Sequence, residues 1–139
     1  MLPEAVFHIY PTDCDMLGHL NHATMLNFLE RARWALLEGQ IDLRNWNRED
    51  VFPVVRHVDI SYFAQSLPGE DLVIRSGLLS VKNTSYVIRQ DVRKVGSGVL
   101  VAEANIVLVA VNQAGEKVKV PERWIAMQEQ WPQAEPARP

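Results

Sequence analysis

The amino-acid sequence predicts an α+β domain in which one long helix lies against one antiparallel sheet. Three observations carry this. A single strong helical stripe occupies residues 22–38, and after about residue 54 the chain turns to strand-length apolar or alternating segments separated by turn signals. The length of 139 residues suffices for one sizeable core and not for two. A sheet with one face to cover, and one large helix to cover it, is satisfied by a sheet curved around that helix. Part of the other face, or an edge, is then left for a second subunit.

Residues 5–10 read as a short strand ended by Pro11, and residues 12–20 as a loop. The helix over residues 22–38 places Leu26, Leu29, Ala32 and Leu36 at helical spacing, with Phe28, Ala35 and Leu37 widening the stripe. Asn21 suits the N-cap, because its side chain can accept an otherwise unpaired N–H, and Gly39 suits the stop. Such a helix is roughly 25 Å long. Residues 41–50 hold a short second helix or turn. Val54, Arg56, Val58, Ile60 and Tyr62 then alternate with Val55, His57, Asp59 and Ser61 as a strand. Turns follow at Pro68-Gly69, Asn83-Thr84 and Gly96-Ser97-Gly98, with strands between them carrying Leu72, Ile74 and Leu78, then Tyr86, Ile88 and Val92. The nearly unbroken apolar run 99–111 suits a strand inside the sheet. Pro121 starts a short helix through Gln130. The domain is therefore residues 1–130, followed by a proline-rich tail, 131–139, expected to be disordered or to lie on the surface.

Composition narrows the function. The chain is 47% hydrophobic and 22% charged, with a net charge of -3 and no basic block, so nucleic acid is not an expected partner. Its one cysteine, Cys14, permits no intrachain disulfide and fits a reducing compartment. The first eight residues lack a signal-peptide pattern, and no apolar run approaches the roughly 18–20 residues that span a bilayer. The expectation is a soluble, cytoplasmic protein with no membrane span.

The densest polar cluster is residues 10–22. It contains Asp13, Cys14, Asp15, Gly18, His19, Asn21 and His22, immediately before the main helix. Unpaired N–H groups and the helix dipole favour developing negative charge there. A loop carboxylate beside such donors supplies two parts of an acyl-transfer site. Each residue also has an ordinary structural role. Asp13 and Asp15 suit turns or caps, Gly18 a positive φ, and His19 a bond to a backbone carbonyl. The residue pattern alone does not choose between Asp13 and Asp15. Cys14 is not expected to be a nucleophile, since two acidic neighbours raise a thiol pKa. A metal site is not expected either. Asp-x-Asp and His-x-x-His offer suitable ligand types, but His19 and His22 straddle the helix start and no ligand cluster follows downstream.

The run 13–23, followed by Leu26, Phe28, Leu29, Glu30, Ala32 and Arg33, resembles the 4-hydroxybenzoyl-CoA thioesterase family of hotdog proteins. The likeness continues through Asp59-Ile60-Ser61-Tyr62, the Pro68-Gly69-Glu70-Asp71 turn, Asn83-Thr84-Ser85-Tyr86 and Gly115-Glu116-Lys117 with Pro121, covering roughly residues 4–127. The resemblance implies a five- or six-stranded antiparallel sheet around one central helix, and homodimers or homotetramers with active sites at subunit interfaces. It implies hydrolysis of an acyl-CoA, with no cofactor beyond the coenzyme A of the substrate. It singles out Asp15 as the catalytic carboxylate, acting as nucleophile or general base, and matches His22 to a histidine common in the family. Asp13, Gly18, Asn21 and Ala23 surround it as substrate-binding candidates, with helix-start N–H groups near His22 and Ala23 polarising the thioester carbonyl. Lys82, Ser85 and Arg89, around the third turn, are candidates for pantetheine or phosphate contacts. Met25 stands where the family often has a tyrosine, which speaks against an aromatic acyl group. The same fold hosts acyl hydratases and dehydratases, and a catalytically silent acyl-CoA binder is a further alternative. Asp15 at the helix start argues against the hydratases.

Overall fold

The structure, a computed structural model, describes residues 1–38 and 42–132. Strand β1 (Glu4–His8) is followed by a 3-10 turn (Pro11–Asp13) and by helix α1 (His22–Ala35). Two merged 3-10 turns (Leu43–Arg48) lead into β2 (Val51–Tyr62). Then come β3 (Asp71–Val81), β4 (Ser85–Lys94), β5 (Leu100–Asn112) and a short helix α2 (Glu122–Ala126). The strands form one antiparallel sheet in the order β1-β3-β4-β5-β2. β5 lies inside the sheet, paired on both sides, as its apolar run leads one to expect. β2, twelve residues long, forms an edge.

Side chains alternate across the sheet. One face carries Ile74, Val92 and Ala102 in one cross-strand row, and Leu78, Ile88 and Ile106 in another. Helix α1 covers this face with Met25, Phe28, Leu29 and Ala32, all buried. Phe28 stacks on Phe7 of β1 with ring centroids 5.0 Å apart. The expected stripe is thus displaced: Leu26 and Ala35 face solvent and Met25 is in the core. At 100° per residue, Met25, Phe28, Leu29 and Ala32 already complete a face, which puts Leu26 on the flank. The helix also stops at Ala35, three residues early. Leu36 and Leu37 close it with N–H bonds to Arg33 and Trp34 at 3.2 and 3.0 Å, which tightens the last turn. The expected stop, Gly39, lies outside the described residues.

At the centre of the core one side chain ties helix to sheet. Gln90, fully buried on β4, donates through Nε2 to the Leu29 carbonyl and to Ser76 Oγ, both at 3.0 Å. Its Oε1 accepts from Arg33 at 3.1 Å. All of the amide's hydrogen-bonding sense is thereby committed between α1, β3 and β4.

The opposite face is polar and covered by the two ends of the described chain. Arg75 pairs with the buried Asp91 at 2.7 Å, and Arg89 with Glu103 at 3.0 Å. Trp131 lies beneath both guanidinium groups, 4.7 and 5.4 Å from its ring centroid. The sequence reading assigns Trp131 to a surface tail, and the structure corrects this: only 4% of it is exposed. The cause is Gly77, where a Cβ would stand 2.6 Å from Leu2 and 3.1 Å from Trp131. The missing side chain leaves the seat into which these two residues pack. Leu78 fixes the segment with backbone bonds to Glu129 and Trp131, each 2.8 Å. Helix α2 is also shorter than expected, because residues 129–131 pair with β3 instead of coiling.

Gln90→Leu should destabilise the protein by about 3 kcal/mol, since it leaves the Arg33 donor and the Ser76 hydroxyl without their partner. Urea denaturation with an unchanged m value checks this; a loss under about 1 kcal/mol would show that the tie is dispensable.

Candidate active site

Local backbone geometry builds the loop before α1. Asp13 closes the 3-10 turn, its Oδ2 accepting the Tyr10 N–H at 2.9 Å, and its carbonyl accepts the Asn21 N–H at 3.0 Å. Cys14 and Leu20 form a one-residue antiparallel bridge, and Asp15 N–H donates to the His19 carbonyl at 2.9 Å. Residues 15–19 are thus a tight reversal. It needs a positive φ at Gly18, +79°, which an L side chain rarely adopts. Within it, Asp15 Oδ1 accepts the Leu17 N–H at 3.0 Å. That bond orients the carboxylate, and Oδ2 has no partner among the described residues.

Asn21 is the N-cap, its Oδ1 accepting the Ala23 N–H at 2.8 Å. The cap changes which donors are available. Ala23 N–H is taken, whereas those of His22 and Thr24 have no acceptor among the described residues. Tyr62, at the end of β2, donates its hydroxyl to the His22 carbonyl at 2.9 Å and so fastens the first turn of α1 to the sheet. Burial pushes the Tyr62 phenol above its ordinary pKa, which keeps it a donor at neutral pH.

These elements enclose a pocket of about 200 Å³ whose walls include Asp15, His19, His22, Met25, Tyr62 and Ser66. Asp15 and His19 are half-buried and His22 is exposed. Of the residues singled out from sequence, Asp15 and His22 share this pocket. Asp13 and Asn21 do not line it; their side chains serve the backbone. Gly18 contributes the reversal and Ala23 an N–H already capped. Lys82 and Ser85 flank the β3–β4 turn, away from this pocket in the single chain, with Lys82 exposed and Ser85 half-buried. Arg89 is committed to Glu103 and reaches Asn105 at 3.4 Å. The Cys14 thiol is pushed up by burial first and then by Asp13 and Asp15, which suppresses the thiolate. Among the described residues no group of three His, Cys, Asp or Glu side chains could hold a metal ion. No described helix is long and apolar enough to cross a membrane.

Sequence reading misses Tyr62, Gln65 and Ser66 as pocket walls. Tyr62 enters the sequence reading as a strand residue and as part of the family likeness, not as a wall of the site. Ser66 precedes the Leu67-Pro68-Gly69 turn and signals nothing more, yet its carbonyl accepts the Leu20 N–H at 2.8 Å and its buried hydroxyl has no partner among the described residues.

The profile of the Thioesterase-like superfamily matches residues 9–129. The chain belongs to this superfamily. Its fold is the hotdog fold, a five-stranded antiparallel sheet around α1. The superfamily likeness extends to named proteins. The chain is 29% identical over 103 residues to the long-chain acyl-CoA thioesterase FadM of Escherichia coli K12, covering 74% of this chain and 78% of that one. It is 31% identical over 105 residues to the 1,4-dihydroxy-2-naphthoyl-CoA hydrolase of Rippkaea orientalis, covering 73% and 75%. Among solved structures, the 1,4-dihydroxy-2-naphthoyl-CoA thioesterase Slr0204 from Synechocystis superposes with a TM-score of 0.81 at 19% identity, over 89% of this chain and 93% of that one.

Tyr62→Phe removes the bond to the His22 carbonyl while keeping the ring. The hydrogen-bonded amides of the first turn, Ala23 and Met25, should then exchange about five-fold faster, the equivalent of about 1 kcal/mol. Hydrogen exchange read by mass spectrometry checks this, with β5 amides as the unchanged reference.

Proposed function

We propose that the chain hydrolyses an acyl-CoA thioester to the free acid and coenzyme A, with Asp15 as its catalytic carboxylate and no cofactor. The observation that carries this is one pocket lined by both the oriented Asp15 carboxylate, one oxygen uncommitted, and His22 at the start of α1, where the His22 and Thr24 N–H groups are uncapped. The thioester carbonyl oxygen, directed at those donors, develops negative charge against two dipoles and the helix N-terminus; each donor is typically worth about 3 kcal/mol. Asp15 either attacks the carbonyl carbon, forming a mixed anhydride that water then cleaves, or takes a proton from the attacking water. In both routes the sulfur leaves as coenzyme A and one water is consumed for each thioester cleaved. His22 borders the same space and positions water or thioester. That relatives are named for acyl-CoA and naphthoyl-CoA hydrolysis supports a CoA thioester as the substrate. Lys82 and Ser85, on their open turn, are the proposed pantetheine or phosphate contacts; Arg89 is a weaker candidate because its guanidinium is already paired.

A second copy of the chain completes this site. Support comes from β2, an unpaired edge whose Val54 and Val55 are 47% and 44% exposed and whose last residue, Tyr62, borders the Asp15 pocket. Sedimentation equilibrium should find a homodimer or homotetramer; a monomer at micromolar concentration would exclude an interface active site.

Asp15→Asn should lower thiol release from acyl-CoAs by at least about 10²-fold with the fold retained, and chelator should leave the wild-type rate unchanged. An unaltered rate in the variant would overturn the assignment. Binding of acyl-CoA without thiol release by the wild type would make the protein a silent binder.

A further inference from the structure

Folded chains leave few buried hydroxyls without a hydrogen bond, because each one so left costs its desolvation. Ser66 is such a case, and it stands at the Asp15 pocket. It is 2% exposed, it forms part of the pocket wall, and its Oγ has no partner among the described residues.

Backbone bonds set the place of Ser66, not its own side chain. Its carbonyl accepts the Leu20 N–H at 2.8 Å, which ties it to the loop that carries Asp15. Just beyond it, the Leu67 N–H donates to Glu70 Oε1 at 2.6 Å, and Glu70 Oε2 pairs with Lys94 at 3.2 Å. The Gly69 N–H reaches the Ile9 carbonyl at 2.8 Å, and the Ile9 N–H the Glu70 carbonyl at 2.9 Å. An alanine at position 66 would keep every one of these bonds and bury no unpaired oxygen. The fold alone therefore gives the hydroxyl no role.

The pocket around it holds a second uncommitted oxygen. Tyr62 spends its hydroxyl on the His22 carbonyl, Asp15 Oδ1 accepts the Leu17 N–H, and Gln65 is exposed to solvent. Asp15 Oδ2 remains, in the wall of the same space of about 200 Å³ as Ser66. Both oxygens accept hydrogen bonds, and water brings two hydrogens to give. Water in a protein interior is held by roughly two to four such groups. A serine hydroxyl turns between staggered positions about one torsion, so it can meet a bound water with the backbone in place.

We propose that Ser66 is a positioning residue for the attacking water, its Oγ accepting one hydrogen of that water while Asp15 Oδ2 accepts the other. The inference rests on the Asp15 reading above, in its general-base form. As the water oxygen bonds to the acyl carbon, the proton facing Asp15 passes to the carboxylate, and the hydrogen facing Ser66 stays on the new acid oxygen. The carbon–sulfur bond then breaks and the sulfur takes the proton from Asp15, so one water and one thioester give one acid and one thiol. Ser66 changes neither charge nor covalent state. Its contribution is orientation of the water's lone pair toward the carbonyl carbon.

The test uses methanol as a competing nucleophile. Methanol can give its one hydroxyl hydrogen to Asp15 but has none left for Ser66. The full chain is assayed in methanol-containing buffer with whichever of acetyl-, octanoyl- and palmitoyl-CoA the wild type cleaves fastest, and acid and methyl ester are quantified by mass spectrometry. Ser66→Ala should lower kcat for acid formation about tenfold, as for one lost hydrogen bond, with KM changed less than about twofold. Methyl ester formation should hold, so the ratio of ester to acid rises about tenfold. The melting temperature of the variant should not fall, because its hydroxyl has no partner in the fold to lose. An ester-to-acid ratio equal to that of the wild type overturns the proposal, whether or not kcat falls, since Ser66 would then serve the thioester or the fold and not the water. Asp15→Asn in the same assay separates the two readings. If it keeps the wild-type rate, the Asp15 reading fails and takes this one with it. If it loses thiol release while Ser66→Ala keeps the wild-type ratio, this proposal alone fails.

Discussion

The placement of α1 depends on the Gln90 amide. A helix held to a sheet by apolar contacts alone can slide or rotate by small amounts at modest cost, because such contacts are not directional. Gln90 removes that freedom. Its N–H donors reach a helix carbonyl and Ser76, and its carbonyl takes a guanidinium N–H from the next helical turn. Three elements are thereby fixed in distance and rotation by hydrogen bonds in a dry core, where unmade bonds are expensive.

Both ends of α1 inherit their positions from that tie. Toward the N-terminus, Tyr62 and the Asn21 cap set the first turn, and the reversal over residues 15–19 brings Asp15 to it. Toward the C-terminus, the same Arg33 that binds Gln90 borders a recess that Glu30 and Tyr86 also line. One helix thus presents uncapped N–H groups at one end and a half-buried cation near the other. The first suits negative charge through its backbone dipoles, whereas the second already has the Glu30 carboxylate acting on it.

Much of this architecture is legible in the sequence, because periodicity and turn chemistry are local properties. The order of strand, helix and strands, the Asn21 cap and the Gly18 reversal all follow from neighbouring residues. What is not legible depends on distant partners. Leu26 and Met25 stand 100° apart on the helical wheel, and which of them is buried depends on where the sheet lies. Gln90 reads as an ordinary polar strand residue, and Trp131 as part of a proline-rich tail, until Gly77 offers it a seat. In the loop, composition does not separate Asp13 from Asp15. The structure gives them different surroundings: Asp13 spends its carboxylate on the Tyr10 N–H, and Asp15 borders a pocket built by Tyr62 and Ser66 from more than forty residues downstream. Thr24, with its free N–H, enters only once the cap is seen to occupy Ala23.

Gly77 also governs when the molecule can close. Leu2 and Trp131 converge on it from opposite directions along the chain, and residues 129–131 take over the margin of β3 where β1 leaves off. On a translating ribosome Leu2 emerges long before Trp131. All five strands can be outside the exit tunnel while Arg75 and Arg89 still face water without the indole beneath them. Completion of the sheet's far side therefore waits on residue 131, and the nascent chain carries an open seam until that residue emerges.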